Sequence, residues 1–549
     1  MSNLNLLINE TPVMQGHSWR FNHLSAAQLL PVLQQHLLAC NSKANWQLAW
    51  LNNDGKPIIA LLPKVSWQLY ATADSPSTYQ VIQNYRHTDK ATTSTLMSYE
   101  VWQQQLISYS QSFEDKGYKD NEPVVLEKPN SNQPDYSHGL IGFIGYDVAA
   151  RQLSPATNIQ AAKQPLAVMG HYDIYLTVVT TNNLDNAQQL FWQLTIKDTG
   201  VTKETTDSEA AIADLIGYLE DLDNKISVTN YPKLPSALLA PLVLESQWSK
   251  NDYQQAFVQT QRYLQQGDCY QINLTQAWQG QLTTPVSCDD NPPASLNLID
   301  YLPSLQRNTQ APFAGYIGVS AARSDNSTPL DFELLSCSPE LFFTFTKDAE
   351  SGHHSITTKP IKGTMPRGLT NAADEVFKQQ LLASDKDRAE NVMIVDLLRN
   401  DLGKHAQTGS VKVPQLFAIE SFSNVHHMVS TISAKLKADT HPLSVLFGSL
   451  PAGSITGTPK KRAVEIISEL EIAARGAYCG TMGYMNFDGS GQWNVLIRSL
   501  QATNLADGHK QVSLWAGGGI TVASDVDAEY QECLDKVGNL LAVLAQADS

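Results

Sequence analysis

The stretch QVSLWAGGGI (511–520), followed after three residues by SDVDAEYQECLDKVGNLL (524–541), reads as a strand that turns into a long helix. Tyr530, Leu534, Val537, Leu541 and Leu544 recur at helical spacing and predict a core stripe on a helix over about 526–546. Asp525, Glu529, Glu532 and Lys536 recur at i, i+4, i+7 and i+11 and share the other face. Working back from this unit, strands and helices keep alternating. LFFTF (341–345) reads as a strand, 386–400 as a mostly buried helix, and 252–266 as a helix stopped by Gly267. That helix would bury Tyr253, Phe257, Gln261 and Leu264. Pro459 opens a further helix with Ala463, Ile466, Ile467 and Leu470 inward.

The first ~200 residues read as strands and loops. Examples are WQLAWLN (46–52), PIIALLP (57–63) and YDIYLTVVT (172–180). In HGLIGFIGYD (138–147) the glycines among aromatics and aliphatics predict tight backbone packing within a strand or bulge. One helix is predicted over 211–220, and a polar, then Pro-rich passage up to about 245 follows. The domain division is therefore placed there, with an N-terminal segment 1–230 and a C-terminal segment 245–549. The Pro/Asp/Asn-rich stretch 283–297 reads as an exposed loop. The mixture predicts an α/β fold.

A chain of 549 residues, 42% of them hydrophobic, can bury a full core without disulfides. A formal charge of −16 argues against nucleic acid as a partner but leaves room for a small anion held by a few local cations. The six cysteines form no CxxC pair, which makes a zinc site unexpected and fits a reducing compartment. No run approaches a membrane span, and MSNLNLLINE lacks a signal peptide's basic start and apolar run. The expectation is a soluble cytoplasmic protein.

Several segments could carry chemistry, and each has a plain reading beside the functional one. In KPIKGTMPRG (359–368), Lys362 is either a surface lysine in a Pro/Gly turn or a nucleophile. In SCSPELFF (336–343), Glu340 is either a solvated turn carboxylate or a desolvated general acid. Glu390, on an otherwise apolar helix, needs either an arginine partner such as Arg388 or Arg399, or a metal ion. Glu529 and Glu532 belong either to a solvated acidic face or to a Mg²⁺ site. LPAGSITGTPKKRAVEII (450–467) offers a Gly-rich helix entry that could bind an anion, and Gly517, Gly518 and Gly519 would let a ligand approach the backbone. Arg498, in the apolar strand-like run VLIRSL, pairs either with a protein carboxylate or with a substrate carboxylate. For His426 and His427, ordinary core packing is the stronger reading.

Taken in order, these segments resemble the chorismate-utilising enzymes. The likeness covers roughly 245–545 and runs through GDCYQINLTQ, SCSPELFF, KPIKGTMPRG, KDRAENVMIVDLLRNDLGK, VHHMVSTI, PAGSITGTPKKRAVEII, YCGTMGYMNFDG, NVLIRSL and AGGGITVASDVDAEYQE. The N-terminal part matches more loosely. The lysine of P-I-K-G-T resembles the branch that makes 4-amino-4-deoxychorismate; the anthranilate-forming branch has alanine there. The family's water-adding members carry a lysine where this chain has Gln271, and NTQAPFAGY (308–316) replaces the N-P-S-P-Y of tryptophan-inhibited relatives.

The resemblance implies two large antiparallel sheets packed as a sandwich with helices outside, built by both halves of the chain. It implies that Lys362 attacks the chorismate ring while Glu340 protonates the departing hydroxyl, and that ammonia displaces the lysine. It implies Mg²⁺ held by Glu390 and Glu532, with Glu529 directly or through water. Arg498, Tyr484, Lys536, His427, Thr364 and the backbone of Gly517, Gly518 and Gly519 would hold the substrate. No glutaminase elbow is present, since Cys479 sits in AYCGT, so ammonia would come from a separate glutamine amidotransferase subunit in a heterodimer.

Overall fold

The computed structural model describes residues 19–39, 47–73, 75–86, 92–114, 134–182, 188–197, 206–225, 239–282, 297–319, 332–422, 425–505 and 509–546. Almost all of the predicted loop 283–297, and much of the passage before 245, lie outside these residues, as do Cys40 and Cys288.

Among the described residues two antiparallel sheets, of 11 and 12 strands, form the frame. In the first, Gln271–Leu282 pairs with Lys510–Ile520 over its whole length, from Ile272 opposite Ile520 to Leu282 opposite Lys510. The order continues through Ser499–Asn504, Phe332–Ser336 and Gly315–Val319 to Leu48–Leu51, Ile58–Leu61, Ile174–Asn182 and Gln188–Ile196. The second sheet likewise runs from Ile361–Pro366 and Val425–Lys435 through Gly139–Ile144 to Thr93–Ser98. Each sheet therefore takes strands from both sides of the 230–245 passage.

Between the sheets lies an apolar layer that draws Leu51, Ile58, Ile317 and Phe332 from the first and Ile141, Phe143, Val168 and Met482 from the second. A larger core packs helices against the sheets, with Leu29, Leu30, Phe257, Ile394 and Leu540 among its buried residues. The predicted close approach in HGLIGFIGYD is present. A Cβ on Gly142 would strike the carbonyl oxygen of Val168 on the neighbouring strand.

The helices follow the sequence reading closely but not fully. Lys250–Gln265 starts earlier than predicted because Ser249 forms a capping box with Asp252, each accepting from the other's backbone N–H (3.2 and 2.9 Å). Its inward residue is Thr260 rather than Gln261, which binds the carbonyl of Thr521. Ser249→Ala should lower stability by about 1 kcal/mol; an unchanged urea midpoint would contradict this role. Pro459 caps Lys460–Leu470 instead of opening its first turn. In Val526–Ala545 the fully buried stripe is Cys533, Val537, Leu540 and Leu544, while Tyr530, Leu534 and Leu541 pack along its flanks. No described helix is long and apolar enough to cross a membrane.

Candidate active site

The turn after Lys510–Ile520 sends the chain back along its own sheet. Asp525 caps Val526–Ala545 by accepting from the N–H groups of Asp527 and Ala528, and the first turns of this helix then face Gly517–Gly519. Asp385–Gly403, capped by Ser384, brings Lys386 and Glu390 to the same place. Between these two helices and the edge of the second sheet lies a cavity of ≈ 540 Å³. Lys362, Glu340, Thr364, His427, Arg498, Glu390, Glu529, Glu532, Lys536, Gly517 and Gly519 all line it.

Lys362 leaves the strand Ile361–Pro366 with its side chain 20% exposed and its Nζ 3.2 Å from Glu390 Oε2. Glu390 does not pair with Arg388 or Arg399: Arg388 lies over the Phe417 ring and Arg399 pairs with Asp396. Glu340 is 7% exposed. Its backbone is pinned between Ser338 Oγ and Val495, which fixes the carboxyl against the cavity. Burial raises its pKa to about 7, against the pull of Lys362, Lys536, a Ser454 hydrogen bond and Arg498. A substantial fraction of this carboxyl is therefore protonated at neutral pH.

Arg498 sits at φ +51° in the bend before Ser499–Asn504, not inside a strand as read from the sequence. Burial depresses its pKa, Cys337 and Glu340 oppose the shift, and its guanidinium forms no ion pair among the described residues. It is thus available to a carboxylate. Thr364 and His427 face each other across a strand pair and share a 2.8 Å hydrogen bond between Oγ1 and Nδ1. Burial, with Arg498 and His426 nearby, lowers the His427 pKa to about 4, so the ring is neutral. His426 is a core residue held by Asp374 and Ser421.

Glu529, 2% exposed, accepts from Ser524 Oγ at 2.8 Å and pairs with Lys386 at 3.3 Å. Glu532 pairs with Lys536 at 2.7 Å, and Lys536 also donates to the Gly517 carbonyl at 2.8 Å. Burial alone would raise the Glu532 pKa, but Lys536, Lys362 and Lys386 together hold it low. Gly518 makes this closeness possible, since a Cβ there would lie 2.9 Å from Glu529 Oε2 and 3.9 Å from Glu532 Oε1. Oxygen Oε1 of Glu390 is buried and has no hydrogen-bond partner. These hard oxygen donors suit Mg²⁺. Their carboxylates do not converge on a single point: among the described residues no three His, Cys, Asp or Glu side chains are gathered as metal ligands. Lysines stand between them.

Two expectations are corrected here. Tyr484 is not at the cavity. It is 1% exposed in the apolar layer between the sheets, packs edge-on against Tyr136 and donates to the Pro134 carbonyl. The tyrosine that lines the cavity is Tyr478, stacked with Trp515 at 6.1 Å. The Gly-rich helix entry also lies elsewhere. Ser454 and Ile455 of the preceding 3-10 turn reach the cavity, whereas Lys460 turns to Asp401 at 2.7 Å. Sequence reading also missed Asn273, Lys386, Asp387 and Asp535, whose proximity depends on pairings remote in the chain.

Behind Tyr478, Arg475 is fully buried and ties the wall together. It binds both oxygens of Glu471 (2.8 and 2.6 Å), the Asn273 carbonyl (2.7 Å) and the Ile455 carbonyl (3.2 Å).

Residues 68–542 match the model of the chorismate binding enzyme family, and the chain belongs to that family. Among its relatives is the aminodeoxychorismate synthase component 1 of Salmonella typhimurium, 37% identical over 422 residues, which are 75% of this chain and 79% of that protein. The protein of the same name from Escherichia coli (strain K12) is 41% identical over 305 residues, covering 55% of this chain and 60% of that one. The fold is also that of the crystal structure of anthranilate synthase component I from Streptococcus pneumoniae TIGR4. That match has a TM-score of 0.61 at 21% identity and covers 96% of this chain and 99% of the other.

Proposed function

We propose that this chain aminates chorismate to 4-amino-4-deoxychorismate. The observation that carries the reading is the pairing of roles in one cavity: an amine, Lys362, facing a carboxylate at 3.2 Å, and a buried acid, Glu340, whose pKa is about 7. Relatives named aminodeoxychorismate synthase component 1 support it.

Lys362, 20% exposed, gives up its proton to solvent, and its nitrogen bonds to the ring. The ring C–OH bond breaks in that step, and the hydroxyl leaves as water with the proton of Glu340. Ammonia then forms its bond to the carbon that lost the hydroxyl, the bond to Lys362 breaks, and the lysine is restored. Overall, chorismate and ammonia give the amino product and water. Arg498 and Lys536 bind the substrate carboxylates, and neutral His427, oriented by Thr364, adds no charge to the pocket. Glu390 and Glu532, with Glu529, would hold Mg²⁺, which would bind a substrate carboxylate and neutralise its charge. Ammonia comes from a separate glutamine amidotransferase subunit; product formation from glutamine by this chain alone would refute that.

The test is mass spectrometry of wild type and Lys362→Ala after exposure to chorismate and Mg²⁺. A covalent adduct should appear on the wild type only. With ammonium added, the wild type should release 4-amino-4-deoxychorismate, and Lys362→Ala should keep only part of that rate. An identical rate in both proteins, or anthranilate as the product, would overturn the reading.

A further inference from the structure

Lys386 is placed where a cation is poorly served by its own helix. It lies in the first turn of Asp385–Gly403, where the helix dipole disfavours positive charge. It also precedes Glu390 by four residues, the weaker order for a helical ion pair. What holds it is the cavity. Its Nζ lies 3.3 Å from Glu529 Oε1 on another helix and 4.0 Å from Glu390 Oε1. The second of these oxygens is buried and makes no hydrogen bond.

The partners differ sharply in freedom. The Glu529 and Glu390 side chains are 3% and 12% exposed, while that of Lys386 is 52% exposed. The carboxylates are buried in the wall, and the lysine that meets them is half exposed. Lys362 occupies the other oxygen of Glu390, and Lys536 occupies Glu532. Among the described residues Lys386 is thus the cation that lies within 4.0 Å of both Glu390 and Glu529, and it is the most exposed of these three lysines.

We infer that the Lys386 ammonium is a built-in placeholder for the divalent cation, spanning Glu390 and Glu529 in the metal-free protein and swinging outward when the metal enters. This rests on the proposed metal role of those glutamates. The placeholder screens the acids from one another while no metal is bound. It also competes with the metal, so the empty pocket binds a divalent cation more weakly than its carboxylates alone would.

Mn²⁺ binding, followed by electron paramagnetic resonance on the full chain without chorismate, tests this. Lys386→Met should bind Mn²⁺ at least tenfold more tightly than wild type, because the competitor is gone. In EDTA the same variant should melt at a lower temperature than wild type, and added Mn²⁺ should restore it. Lys386→Arg, which keeps the charge, should bind Mn²⁺ with wild-type affinity. Equal or weaker Mn²⁺ binding by Lys386→Met overturns the placeholder. If neither wild type nor variant binds Mn²⁺ even with chorismate present, the metal reading beneath it fails instead.

Discussion

Glu340→Gln should lower kcat by on the order of 10²–10⁴-fold, the range for loss of a positioned general acid. Glutamine keeps the shape and loses the proton. In the wild type the carboxyl titrates at about 7, raised from 4.5 by burial against the pull of Lys362 and Lys536. The acid acts while protonated, so kcat/KM, calculated on free NH₃, should fall on its alkaline side as pH rises through about 7. In the variant this alkaline limb should flatten. The same shift carries a stability cost. A carboxyl whose pKa is raised on folding favours the folded state less once pH exceeds its unfolded value, and the full penalty is reached above about 7. Glu340→Gln should therefore be more stable than wild type at pH 8, by about 3 kcal/mol, with the gap closing toward pH 4.5. Wild-type activity in the variant, or a stability gap independent of pH, would remove Glu340 from the acid role.

Arg475→Met should destabilise the fold by about 3–5 kcal/mol, because it leaves Glu471 buried without its counter-charge. Side-chain exposures of 1% and 7% leave little solvent to screen the loss. Glu471 would retain only the N–H and hydroxyl of Thr275, at 3.0 and 2.8 Å. Urea unfolding should show a lower midpoint with unchanged slope. Replacing both partners by leucine should cost less than the single change, since no lone charge remains. Because Arg475 binds the carbonyls of Asn273 and Ile455 and stands 5.9 Å from the Tyr478 ring, the KM for chorismate should rise as well. A single variant within 1 kcal/mol of wild type would contradict the argument.

The parts of the site legible in the sequence are those whose motif is local. Lys362 and Glu340 each sit in a short run that also fixes their backbone, and Glu390, Glu529 and Glu532 stand at helical spacings that survive folding. Tyr484 and Tyr478 show the limit. Both tyrosines lie six residues apart in one glycine-punctuated run, and only the sheet's position decides which one meets the cavity and which enters the layer between sheets. Lys386 is illegible for a different reason: its partner Glu529 is 143 residues away. The fold shows the same division. Helices such as Lys250–Gln265 follow from periodicity, whereas a sheet that joins Leu48–Leu51 to Gly315–Val319 is fixed by pairing between distant segments.

Because Lys510–Ile520 is an inner strand of its sheet and Val526–Ala545 carries Glu529 and Glu532, assembly depends on segments translated after most of the frame has been made. A nascent chain emerging from the ribosome up to about residue 500 has Gln271–Leu282 without its long neighbour and half of its pocket acids missing. Such a chain exposes a sticky strand edge until residues 510–520 have emerged, and it gains its chemistry only when the helix Val526–Ala545 closes behind it.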